Sequence, residues 1–150
     1  MLNLIIIFGA KYLILLPPAI AGIYFLKSPR EIRKRLIIFL LIALPLAYLA
    51  GLATRYAYFN PRPFVVGGFG PLIAHETDNG FPSDHVLLAA TLAASLLFFD
   101  RKRAYWLAGI AVFIAFARVY AGVHHLTDVV ASIIIALLCA TITSKLYARK

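Results

Sequence analysis

"LIIFLLIALPLAYLAGLAT", residues 36–54, carries no charged side chain over its whole length. A run of about 20 apolar residues is what one α-helix needs to cross a bilayer core about 30 Å thick. The rest of the chain agrees. Of its 150 residues, 63% are hydrophobic and only 14% charged, with a mean hydropathy of +0.89, well outside the range of an ordinary soluble domain. Working outward from residues 36–54, four further apolar segments appear, at about Leu2 to Leu26, Val86 to Phe99, Ala104 to Ala117 and Val129 to Tyr147. The expected fold is all-α, a polytopic transmembrane helical bundle of about five spans forming one domain over 1–150. The first segment contains Lys11 and the pair Pro17-Pro18, so it reads as a kinked span or as a span preceded by a short interfacial turn. It lacks a basic n-region and a small-residue cleavage site, so it reads as retained rather than as a signal peptide. The third and fourth segments are short and must borrow flanking residues to cross.

The net charge of +9 is distributed by side. Lys27, Arg30, Arg33, Lys34 and Arg35 join the first two segments; Arg101, Lys102 and Arg103 join the third and fourth; Lys145, Arg149 and Lys150 end the chain. Alternating spans allow all three clusters to be cytoplasmic, as the positive-inside rule asks, with the amino terminus outward. The basic balance is then a topology and lipid-headgroup signal, with membrane lipids and not nucleic acid as the partner. One cysteine, Cys139, excludes a disulfide framework within the chain.

The opposite, outward ends of the segments carry a different set of polar residues. Three stretches converge there: "RYAYFNPRPF" at 55–64, "FPSDH" at 81–85 and "ARVYAGVHHLTD" at 117–128. Ionisable residues at span ends are functional-site candidates. Alone, Arg55 reads equally well as a snorkelling anchor, but Arg62 sits between Pro61 and Pro63, which hold its backbone extended and aim its guanidinium. His124 and Asp128 are four apart, the spacing of an imidazole and a carboxylate on one helix face; His125 would point elsewhere. Several arginines around one point suit a tetrahedral oxyanion. A helix start at Ser83 to His85 adds free N–H groups and a favourable dipole end. Two histidines supply what phosphate hydrolysis needs, one neutral imidazole to attack phosphorus and one imidazolium to protonate the departing oxygen. No zinc-type spacing is evident, so no metal or cofactor is expected.

Together the three stretches resemble the signature of the type 2 phosphatidic acid phosphatase superfamily, K-x6-R-P, then P-S-G-H, then S-R-x5-H-x3-D. Here they read Arg55, six residues, Arg62-Pro63; Pro82-Ser83-Asp84-His85; and Ala117-Arg118, five residues, His124, three residues, Asp128. The motif core is 55–128. The resemblance implies His124 as nucleophile forming a phosphohistidine, Asp128 as its orienting partner and His85 as general acid. It gives Arg55, Arg62, Ser83 and Arg118 the task of binding the phosphoryl group. Arg55 stands where the pattern has lysine, Ala117 where it has serine and Asp84 where it has glycine. The superfamily core has six helices, so one amino-terminal helix fewer is counted here.

The variant P-S-D-H resembles the branch acting on undecaprenyl diphosphate, which implies a polyprenyl diphosphate substrate and a site on the outer face of the cell membrane. Phosphatidylglycerol phosphate, phosphatidic acid or a lipid A phosphate are the alternative substrates. A non-catalytic lipid-phosphate binding or flipping protein is the alternative of another class, although it would need the arginines and not the two histidines. Asp84 reads as a helix cap, as a partner for an arginine, or as a modulator that keeps His85 protonated. The glycine-rich stretch 65–80 reads as a mobile lid or as a loop resting in the headgroups. The roles of Lys11 and His75, and the oligomeric state, stay open.

Overall fold

A computed structural model describes residues 1–148; Arg149 and Lys150 of the terminal basic cluster lie outside the described residues. All five apolar segments are helical, and no strand forms among the described residues. Two helices share the first segment: α1 (Leu2–Lys11) and α2 (Leu16–Lys27), separated by a 3-10 turn at Leu13–Leu15 and bent by 43°. Pro17 and Pro18 cause the break at this point, since both belong to the first turn of α2, where a missing N–H leaves no helical bond unmade. The chain continues through α3 (Arg30–Ala57), the short α4 (Pro63–Gly67), α5 (Asp84–Leu96), α6 (Arg101–Tyr120) and α7 (Leu126–Ala148). Glu31 in the first turn and Arg55 in the last turn of α3 both complement its dipole. The Asp100 carboxylate caps α6 by accepting the Arg103 N–H at 2.9 Å.

The expected transmembrane helical bundle is what the chain forms, with α5 as its short apolar helix. Helices α3, α6 and α7 are each long and apolar enough to cross a membrane, and the bent pair α1–α2 makes a fourth candidate span. Helix α5 has only 13 residues, about 20 Å of rise. Ten of the eleven residues from Val86 to Leu96 are buried, because α5 runs through the middle of the bundle against α3, α6 and α7. Protein encloses it where lipid would otherwise surround it.

The described residues of the three basic clusters lie at one end of the bundle. There the Arg103 guanidinium sits 5.0 Å from the Tyr24 ring centroid, and the Phe39 ring meets those of Phe98, Phe99 and Tyr147 at 5.5, 5.5 and 6.5 Å. At the opposite end a small apolar cluster of Ile6, Ala10, Ile73, Ala117, Ala121 and Val123 seats α1 on the last turns of α6. The approach is close. A Cβ on Gly9 would stand 2.8 Å from the Phe113 ring and 3.0 Å from the Ala117 methyl.

The stretch read as a mobile lid or as a loop resting in the headgroups is hydrogen-bonded at both ends and at its middle. Phe64 N–H donates to Gly122 O at 3.2 Å, Leu72 N–H to Ala121 O at 3.0 Å and Gly80 N–H to Asn60 O at 2.9 Å. Gly122 makes this possible. Its φ of 77° is left-handed, and a Cβ there would come within 2.5 Å of the Phe69 ring. Gly122→Ala should therefore destabilise the protein by about 1–3 kcal/mol, whereas Gly22→Ala, inside α2 with nothing within 4 Å, should stabilise it by up to about 1 kcal/mol. Thermal unfolding of both variants in one detergent checks the pair of opposite signs.

Candidate active site

The first stretch leaves α3 at Ala57 and runs extended through Tyr58, and Asn60 and Asn79 hold it in place. Asn79 alone makes four bonds: its Oδ1 accepts the N–H groups of Asn60 and Phe81 at 3.0 and 2.9 Å, and its Nδ2 donates to Arg55 O and Tyr58 O at 3.1 and 2.9 Å. This clamp sets Arg62 at the start of α4. The buried Arg62 guanidinium donates through Nε to Asp78 Oδ1 at 2.7 Å and through Nη1 to Val123 O at 2.8 Å. Partial burial works against the Asp78 charge, but the bond and charge of Arg62 hold its carboxyl below the ordinary range.

Arg118, on the last turn of α6, is 3% exposed. Its Nη2 lies 3.0 Å from both His75 Nε2 and His124 Nε2, and its Nη1 donates to Ala10 O at 3.2 Å. Arginine keeps its proton, so both imidazole nitrogens accept. For His124 this fixes the tautomer. Nδ1–H donates to Gly80 O at 2.9 Å, and the Nε2 lone pair faces Arg118 and, at 3.5 Å, Arg62 Nη1. Burial, followed by the Arg118 and Arg62 charges, outweighs the nearby Asp128 carboxylate and holds His124 below its ordinary value. Burial and the same two arginines lower His75 as well.

His124 and Asp128 do not share a helix face, contrary to the reading from their spacing. His124 belongs to the turn that follows Gly122, and α7 begins at Leu126. The turn nonetheless brings His124 Nδ1 within 3.5 Å of Asp128 Oδ2, with Gly80 O as the nearer partner. Asp128, fully buried, caps α7 by accepting the His125 N–H at 2.7 Å and also accepts Asn60 Nδ2 at 2.6 Å. His125 points away to donate through Nε2 to Pro61 O at 2.9 Å, a structural task.

Ser83 sits at the N-terminus of α5, fully buried, with an Oγ that has no partner among the described residues. Its carbonyl accepts Ser132 Oγ at 3.0 Å from α7, and its N–H lies 3.4 Å from Asp128 O. A hydroxyl, a helix N-terminus and the His124 turn are thereby neighbours. Half-buried His85 faces a cavity that His75 and Arg118 also line. Arg55 is committed elsewhere: its Nη2 pairs with Asp84 Oδ1 at 2.6 Å and reaches Pro82 O at 3.5 Å. Of the three readings for Asp84, the arginine partnership is the one its geometry displays.

The arrangement therefore joins Arg62, Arg118, His124 and Asp128 directly, with Ser83 and His85 beside them. Buried donors surround one unprotonated imidazole nitrogen, which is suited to a tetrahedral anion that the same nitrogen can attack. Among the described residues no group of three or more His, Cys, Asp or Glu side chains is placed to hold a metal ion. Asn60, Asn79 and Gly80 are the contributors that sequence reasoning missed, and His75 is the one whose role it left open. Asn60 lay inside the first stretch and Asn79 and Gly80 in the glycine-rich loop, with no spacing to mark them.

Fold and site together define a membrane-embedded helical protein with buried arginines gathered around a histidine at one end of its bundle. The chain belongs to the PAP2 superfamily, whose profile matches residues 20–150. It is 36% identical over 94 residues to the undecaprenyl-diphosphatase BcrC of Bacillus subtilis, covering 60% of this chain and 49% of that protein. Similarity to an undecaprenyl-diphosphatase of Sulfolobus acidocaldarius is 35% over 127 residues, covering 83% of this chain and 58% of that protein. The chain thus spans about half the length of these relatives. Among solved structures, Aquifex aeolicus LpxE superposes with a TM-score of 0.71 at 25% identity, over 94% of this chain and 81% of that one.

The Asn79 clamp generates a prediction separable from chemistry. Asn79→Ala removes four bonds and leaves at least two partly buried backbone groups unpaired, for a loss of about 2–4 kcal/mol. Asn79→Asp keeps the acceptor and should lose less. The order of melting temperatures, wild type above Asp above Ala, is the check.

Proposed function

We propose that the protein is a lipid phosphatase of the membrane, that residues 1–150 form one phosphatase domain, and that it hydrolyses a polyprenyl diphosphate to the monophosphate, undecaprenyl diphosphate being the expected substrate. The observation that carries this reading is the state of His124: Nδ1–H is committed to Gly80 O, while the free Nε2 pair points into the two arginines. In the mechanism that follows, the terminal phosphorus of the substrate lies against Nε2. Arg62, Arg118 and Ser83 Oγ grip its oxygens, with Arg118 Nη2 exchanging its imidazole partners for the phosphoryl group. Nε2 attacks, the bridging P–O bond breaks, and His85 gives its proton to the departing oxygen. A water then attacks the phosphohistidine as His85 takes a proton back, releasing inorganic phosphate and free His124. Asp128 holds the turn and steadies the imidazolium charge. Arg55 acts on the site through Asp84 and the backbone of residue 82.

The similarity to two undecaprenyl-diphosphatases favours a diphosphate over a glycerolipid phosphate. A phosphate also leaves more readily than an alkoxide. The deciding experiment is phosphate release in detergent with a chelator present, comparing farnesyl diphosphate with phosphatidic acid and phosphatidylglycerol phosphate. We expect the diphosphate to have the highest kcat/KM, and equal or faster turnover of a glycerolipid to overturn the substrate assignment. His124→Ala should reduce turnover to background. His85→Ala should slow it by roughly 10²-fold or more and let phosphoenzyme accumulate, and Asp128→Asn should be milder than loss of the nucleophile.

The pH dependence has a definite sign. Attack needs neutral His124, and its folded-state value lies below 6.5. Activity should therefore persist as pH falls through 6.5, with the acidic limb of kcat/KM appearing only below it. An acidic limb that lies above 6.5 and persists in the His75 and His85 variants would contradict the assignment.

We place the site on the outer face, as the three basic clusters suggest. In a Cys139→Ala background, single cysteines at Arg33 and Lys102 should resist an impermeant thiol reagent in intact cells, and one at Asp78 should react. The reverse pattern would put the site on the cytoplasmic side.

A further inference from the structure

Helix α1 ends at Lys11; Phe8 O accepts the Tyr12 N–H, and the carbonyls that follow it in the last turn are left to find partners outside the helix. One of them, Ala10 O, accepts Arg118 Nη1 at 3.2 Å. That bond fixes the neighbouring Lys11 at the depth of the site, although it lies outside all three signature stretches. Between α1 and residues 72–75 is a cavity of about 400 Å³, lined by Lys11, Tyr12, His75, His85 and Arg118 together with apolar side chains. No carboxylate lines it. The Lys11 ammonium stands 5.3 Å from the Tyr12 ring centroid and makes no ion pair among the described residues. Two polar atoms of the lining residues, Arg118 Nε and His75 Nδ1, are buried without a partner. A recess lined by cations and donors, with the Asp78 carboxylate 4.0 Å behind His75 Nδ1 and already paired with Arg62, is suited to an anion.

The geometry points to this cavity as the subsite for the leaving phosphate of a diphosphate, with Lys11 as the cation that selects diphosphates over monoesters. The inference rests on the reading of the protein as a diphosphatase and names where the second phosphate goes. In an in-line displacement the leaving group departs on the side of phosphorus opposite His124, and the proton donor must reach the bridging oxygen. His85 forms a wall of the cavity, so the leaving group departs into it. As the bridging P–O bond breaks, its electron pair stays on that oxygen and the His85 proton moves to it, while the proximal phosphate keeps its remaining charge. Lys11 and Tyr12 are placed to hold that charge as the bond breaks. A monoester presents an alkoxide there, with no second phosphate for the lysine to bind.

The test uses one tail and two head groups. The ratio of kcat/KM for farnesyl diphosphate to that for farnesyl monophosphate should fall about tenfold in Lys11→Met and recover most of the way in Lys11→Arg. Inorganic pyrophosphate should inhibit farnesyl monophosphate hydrolysis by the wild type more strongly than inorganic phosphate does, and Lys11→Met should narrow that gap. A ratio and an inhibition gap both unchanged in Lys11→Met overturn the subsite, even if the wild type is a good diphosphatase. A wild type that fails on farnesyl diphosphate, but whose pyrophosphate preference depends on Lys11, overturns the diphosphatase reading and supports the subsite. Lys11 is exposed, so Lys11→Met should fold; its melting temperature, measured alongside, verifies this.

Discussion

A guanidinium that cannot give up its proton, placed where almost no water reaches, must find every partner it needs within the protein. Arg118 finds all but one of them, Nε staying unpaired, on three separate segments: a carbonyl at the end of α1, an imidazole in the loop before α5 and an imidazole in the turn before α7. Satisfying this one residue gathers α1, the loop and the His124 turn around the end of α6. Its position suits the charge. The C-terminal end of a helix carries partial negative charge, which favours a cation there.

The other charges near the site are arranged so that Arg118 stands out. Arg62 is balanced by Asp78 and Arg55 by Asp84. Asp128 is balanced by an asparagine amide and a backbone N–H. Arg118 makes no ion pair among the described residues, so it carries the uncompensated positive field at the floor of the site, reinforced by the α5 N-terminus. Balanced arginines position and donate, and the unbalanced one attracts. This division explains how several arginines can crowd one small region without mutual repulsion unfolding it.

Apolar run length made α3, α6 and α7 legible in the sequence, because each meets lipid along much of its surface and must be hydrophobic over a full crossing. Helix α5 was the less legible for the reverse reason: enclosed by protein, it packs through small residues such as Ala89, Ala90, Ala93 and Ala94 and has only 13 residues of length. Spacing brought Arg62, His85, Arg118, His124 and Asp128 to notice, since their order along the chain is itself the pattern. Spacing could not show that His124 precedes its helix, because four residues separate i and i+4 in a tight turn as well as in a helix. Nor could it show His75, Asn79 and Gly80, whose contributions depend on partners 20 to 45 residues away in the chain. Arg55 was legible as a site residue but not as a residue whose carboxylate partner would be Asp84.

The depth of α5 has a bearing on ionic strength. Its N-terminus carries Ser83 at a level where Arg62 and Arg118 are 5% and 3% exposed, so mobile ions cannot gather around these groups as they do around surface charges. Screening acts over about 8 Å at physiological salt for exposed pairs and far less for buried ones. Added electrolyte will therefore weaken the outlying Arg55–Asp84 pair, whose side chains are 34% and 64% exposed, and the hold of exposed Lys11 on any anion. It will leave the inner cradle nearly as strong as in dilute buffer. Salt thus separates the two tiers of charge, loosening the exposed rim while the buried floor stays unscreened.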